Sequence, residues 1–141
     1  DMRIASDKAK LGAVFTKRGV LPESGGTWYL PRLIGWARAT EVAFLGDVLN
    51  AKQSLDMGLV NRVVEHDNLE EEVFTIAKKI ASNAPYSVQS TKRAMRLGMD
   101  QNFESAVNTA YLSLLPMFQS EDFKEGVSAF LERREPDFKG R

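Results

Sequence analysis

Cysteine is absent from the 141 residues and histidine occurs once, at His66. The first absence excludes disulfides, thiolate metal sites and a cysteine nucleophile; the second excludes a metal centre built on several histidines. Charge of one sign is also lacking. Lys plus Arg and Asp plus Glu both number 19, so no net field draws the chain to nucleic acid or to an anionic membrane. No apolar run approaches the roughly 18 residues that span a bilayer. The N-terminus lacks the pattern of a signal or transit peptide. These absences describe a protein that binds neither nucleic acid nor membrane, with a cytoplasmic location as the expectation and no metal implied.

What is present is ordinary in bulk: 43% hydrophobic and 27% charged residues, within the range of one globular domain or part of one. The informative stretch is Gly19–Gly35, GVLPESGGTWYLPRLIG. Gly, Pro and Ser at this density mark a tight loop, and the apolar run behind it marks a helix. Ser24 is the expected N-cap, with Trp28, Tyr29, Leu30, Leu33 and Ile34 following. Glu23 stands at the mouth of that helix. A carboxylate there can approach a substrate closely, because Gly25 and Gly26 present backbone in place of side chains. The competing reading is a solvated acid that complements the helix dipole.

The chain begins abruptly. Met2, Ile4 and Ala5 suggest a short buried strand, Ser6–Lys8 a turn, and Leu11–Phe15 a second strand. Short strands with nothing to pair with are not stable alone, so the start resembles the middle of a fold. Helices are expected at Trp36–Leu45, closed by Gly46, and at Ala51–Met57, capped by Asn50. Leu59–Val64 is β-branched and apolar and predicts a strand. Four more helices follow: Leu69–Ser82, Pro85 to about Gly98, Phe103–Phe118 with a break at Pro116, and one carrying Phe123, Val127, Phe130 and Leu131. A short polar tail comes last.

Other chemistry is thin. Asp47 and Asp56 sit beside turns and suit capping; His66 lies in a polar turn. Ser24 and Thr27 have no neighbouring base, so nucleophilic serine chemistry has no support. The basic doublets Lys17–Arg18, Lys78–Lys79, Lys92–Arg93 and Arg133–Arg134 suit solvated edges, any one of which could meet a ligand phosphate. Aromatic residues at helical spacing, among them Trp28, Phe44, Phe103, Phe118, Phe123 and Phe130, suit a core or a subunit interface. Dinucleotide, P-loop and zinc patterns are missing.

Taken in order, DMRIASDKAKLG, GVLPESGGTWYLPRLIG, ARATEVAFLGD, the GLVNRVV segment and EGVSAFLERREPDFKG resemble the crotonase superfamily, the enoyl-CoA hydratase/isomerase family, along the whole chain. The resemblance corresponds to the C-terminal part of a family domain, about half of it. It implies an α/β fold, mostly helical here. Residues 1–66 would be the end of a ββα spiral core with the active-site loop, and residues 67–141 a helical oligomerisation region that builds trimers or hexamers. It implies acyl-CoA thioesters as substrate, as in fatty acid metabolism, with no cofactor beyond the coenzyme A of the substrate itself. The family's oxyanion hole, two backbone N–H groups on the thioester carbonyl, and its first hydratase glutamate belong to segments upstream of Asp1.

The family's second hydratase glutamate falls in a G-x-P-E pattern that reads Gly12-Ala13-Val14-Phe15 here, so Phe15 stands where the acid would. Glu23 matches the position at which some relatives, including a class of enoyl-CoA isomerases, keep a catalytic carboxylate. In the last helix, Arg133 matches a basic residue that contacts CoA phosphates, and Phe130 an aromatic that lines the same pocket. The expectation is isomerase-like proton transfer by Glu23 in preference to two-glutamate hydration. The rival from another class is a non-catalytic acyl-CoA-binding or oligomerisation module, and a purely structural remnant is a third.

Overall fold

A computed structural model describes every residue, Asp1–Arg141. The chain divides into two compact units, Asp1–Phe74 and Thr75–Arg141.

The first unit carries all the strands. β1 (Ile4–Ser6) pairs in parallel with β4 (Arg62–Val64), and β2 (Lys10–Gly12) pairs antiparallel with β3 (Val48–Asn50). Such short ribbons need cover to persist. They get it from α1 (Gly26–Ile34), α2 (Trp36–Leu45) and α3 (Ala51–Asp56). Ala13, Ile34, Ala39, Val42 and Leu59 form the core, with Phe15, Leu30, Leu49 and Met57 packed against it. Asn50 accepts from Gln53 N–H and Gln53 Oε1 accepts from Asn50 N–H, both at 2.9 Å, a complete capping box at the start of α3. Gly46, with φ 59°, ends α2 by donating to Val42 O.

Three sequence expectations shift. The strand expected over Leu11–Phe15 runs over Lys10–Gly12, because the chain turns at Val14 and enters a 3₁₀ turn at Thr16–Arg18. Val48–Asn50, which includes the residue expected only as the cap of α3, forms the strand β3: these three residues gain a partner that only tertiary pairing supplies. Ser24 does not cap α1; the N-cap is Gly25 in the left-handed region at φ 82°.

The second unit is helical. α4 (Leu69–Ala81) begins before its border and places Glu70, Glu71 and Glu72 in its first turn and Lys78 and Lys79 in its last, both favourable to the helix dipole. α5 (Pro85–Gly98) opens on proline, and α6 (Phe103–Met117) is capped by Asn102. Pro116 falls one residue before the end of α6 and is followed by the N-cap Ser120 of α7 (Glu121–Glu132). Large apolar side chains stay open on these helices: Phe103 is 81% and Phe130 82% exposed, which removes both from any core of this chain. Trp36 and Phe44 of the first unit are exposed as well.

Residues 135–141, expected as a polar tail, fold back on α7. The buried carboxylate of Asp122 accepts Lys139 N–H at 2.7 Å and Gly140 N–H at 2.9 Å, and Asp122 N–H donates to Arg141 O. Phe138 lies over Gly126.

Candidate functional site

Glu23 sits in a turn whose shape is dictated by its neighbours. Pro22 is buried and anchors the loop. Gly25 donates to Glu23 O at 2.7 Å, and its φ of 82° suits a residue without Cβ. Gly26 opens α1 so close to Pro22 that a Cβ at residue 26 would lie 2.5 Å from the proline Cβ. The two glycines are therefore steric requirements of this turn. The Glu23 side chain is exposed, and Ser24 Oγ donates to Glu23 Oε1 at 3.1 Å.

That serine also lines a cavity of about 340 Å³ with Phe15, Pro22, Gly26, Leu30 and Leu59. A carboxylate oriented by a hydroxyl, next to an apolar hollow, can take a proton from a carbon acid and return it. Phe15 is half-buried against the core and brings no polar atom to the cavity. Neither Asp47 nor Asp56 adds a second acid: Asp47 pairs with Lys17 and Asp56 with Lys52, both at 2.6 Å on the surface. His66 is exposed and its Nδ1 lies 2.9 Å from Ser6 Oγ.

In the second unit, Phe130 and Arg133 come together at the C-terminal end of α7, where Arg133 N–H reaches Phe130 O at 3.3 Å. Arg133 has φ 57°, and its exposed guanidinium has no carboxylate partner. Arg134 is fully engaged: it forks onto Glu125 at 2.5 and 2.9 Å and reaches Glu132 at 2.6 Å. The Arg134 guanidinium and the Asp137 N–H hold the Glu125 carboxyl down at about 2, and Glu125 in turn pushes Arg134 above the usual arginine range. Glu125 and Asp122 gave no sequence signal because their partners lie 9 to 18 residues away, at Arg134 and in the returning segment.

Residues 1–141 match the enoyl-CoA hydratase/isomerase family model over their whole length. The chain belongs to that family. It is 42% identical over 130 residues to a short-chain-enoyl-CoA hydratase of Clostridioides difficile, covering 92% of this chain and 84% of that protein. It is 42% identical over 140 residues to an (E)-benzylidenesuccinyl-CoA hydratase of Thauera aromatica, covering 99% of this chain and 55% of that one. A crystal structure of an enoyl-CoA hydratase from Bacillus anthracis superposes with a TM-score of 0.98 at 38% identity, covering all of this chain and 55% of its own. The chain spans about half the length of the Thauera and Bacillus proteins. The mostly helical α/β arrangement thus matches the fold of the crotonase family. No helix is long and apolar enough to cross a membrane.

Proposed function

We propose that the chain is the C-terminal part of an enzyme that acts on acyl-CoA thioesters, with Glu23 as its general acid/base. The observation that carries this reading is the Glu23 turn: an exposed carboxylate, oriented by Ser24 Oγ at 3.1 Å, on a tight turn that Gly25 and Gly26 make possible by lacking side chains of their own. The carboxylate takes a proton from the carbon next to the thioester carbonyl. The C–H electron pair moves into the enolate, whose charge an oxyanion hole on the preceding half of the domain stabilises. For an unsaturated acyl chain the double bond shifts by one carbon, and Glu23 returns the same proton further along. No atom is gained or lost, so the net reaction is an isomerisation. Phe15 in the place of a second acid favours this over the addition of water, which needs two carboxylates.

Arg133 contacts CoA phosphates and Phe130 lines the acyl-CoA pocket or packs against a neighbouring subunit. The helical region 67–141, with its open Phe103 and Phe130, builds a homotrimer or hexamer. Residues 1–66 complete the spiral core.

Glu23→Gln tests the central role. Turnover of an enoyl-CoA is expected to fall about 10²–10⁴-fold with CoA affinity kept, as for loss of a positioned acid/base. Unchanged turnover removes Glu23 from the mechanism. A parent protein that binds CoA without turnover on any enoyl-CoA supports a binding module instead.

A further inference from the structure

α7 ends in a turn that normally belongs to glycine. Arg134 N–H donates to Ala129 O at 3.0 Å and Arg133 N–H to Phe130 O at 3.3 Å, the paired bonds of a Schellman cap. The residue at the turn, Arg133, has φ 57° and ψ 41°, and it is the one non-glycine residue of the chain with positive φ. A Cβ in that region crowds the following carbonyl, and glycine would relieve the crowding. The Arg133 side chain makes no hydrogen bond or ion pair in return. A backbone outlier whose side chain contributes nothing to the fold points to use of that side chain elsewhere.

What holds the outlier in place is the next residue. Arg134 puts Nη1 and Nη2 on the two carboxylate oxygens of Glu125 and Nε on Glu132. Glu125 Oε1 also accepts Asp137 N–H at 2.8 Å, so one carboxylate ties down both sides of the turn. A bidentate arginine–carboxylate pair fixes orientation as well as distance. With Arg134 clamped inward against α7, Arg133 is left to project its guanidinium into solvent.

We propose that Glu125 and Arg134 form a positioning clasp: they hold the left-handed turn so that the unpaired guanidinium of Arg133 is presented to the phosphates of coenzyme A. The inference rests on the reading of Arg133 as a phosphate ligand and assigns to Glu125 and Arg134 a role that involves no contact with CoA.

The test is a double-mutant cycle in the full protein, with coenzyme A as the probe, affinity read by calorimetry and stability by thermal melting. Arg133→Gly is expected to raise the melting temperature, because the strain is gone, and to weaken CoA binding by about tenfold, as for one charge-assisted bond. Glu125→Gln, with Arg133 present, is expected to weaken CoA binding several-fold, and Glu125→Asp to recover part of it. Placed on Arg133→Gly, Glu125→Gln is expected to cost no further CoA affinity. This coupling is what a merely structural role would not produce. If Arg133→Gly leaves CoA affinity intact, the phosphate reading of Arg133 fails. If Arg133→Gly weakens binding and Glu125→Gln does not, or weakens it equally in both backgrounds, the clasp is overturned and the phosphate reading stands.

Discussion

Replacing Asp122 by alanine should release the 135–141 segment from α7. The carboxylate is 4% exposed and accepts two backbone amides, Lys139 N–H at 2.7 Å and Gly140 N–H at 2.9 Å. Each such bond to a charged acceptor contributes on the order of 1.5–3 kcal/mol net. Two would give about 3–6 kcal/mol, but the freed amides can swing out and bond to water, which offsets more than half of that sum. A net loss of about 2 kcal/mol follows, or a melting temperature lower by roughly 5–10 °C at this chain length. Asp122→Asn, which keeps one acceptor, should fall between. The discriminating assay is amide hydrogen exchange resolved at Lys139 and Gly140. Exchange there no faster in Asp122→Ala than in the parent would refute the reasoning, because those amides would then owe their protection to something else.

Two further outcomes follow from the same geometry. Gly26→Ala should destabilise the first unit by about 1–3 kcal/mol, since a Cβ 2.5 Å from the rigid Pro22 ring forces the turn to move, and it should lower turnover through displacement of Glu23; a melting curve and activity like the parent's would show the loop to be softer than its contacts imply. The Glu125 clasp should survive mild acid. Its carboxyl is held at about 2 against 4.5 for a free one, so its contribution is complete above the unfolded value and is lost as pH falls through about 2. Arg134, Glu132, Asp137 and Lys139 are the charged groups that face it. An NMR titration of Glu125 with a midpoint near 4.5 would contradict that.

Much of the second unit was legible from local rules. Pro85 at the start of α5 and the apolar spacing of α4, α6 and α7 all act within a few turns of their own helix, and the structure places α4, α5 and α6 within a residue of expectation. The Glu23 turn was legible for the same reason: Pro22, Gly25 and Gly26 shape the backbone beside them whatever the rest of the chain does.

The departures arise where the partner is distant. β3 exists because Val48–Asn50 meets Lys10–Gly12 across 36 to 40 residues, and no pattern within Asp47–Asn50 announces that pairing. Serine is a common cap, yet the cap of α1 falls on Gly25 in the left-handed region, and the Ser24 hydroxyl bonds Glu23 instead. Residue type does not separate Arg133 from Arg134, and only the resemblance points to Arg133. Glu125, one face of α7 and the returning 135–141 segment make one of them an anchor and leave the other free. Sequence alone thus determined the family, the helices and the chemical character of the Glu23 loop, because short-range sterics, capping and motif order need no knowledge of the fold. Tertiary structure alone decided strand pairing, the role of the 135–141 segment and the anchoring of Arg134 on Glu125, because each depends on groups that only folding brings within hydrogen-bond reach.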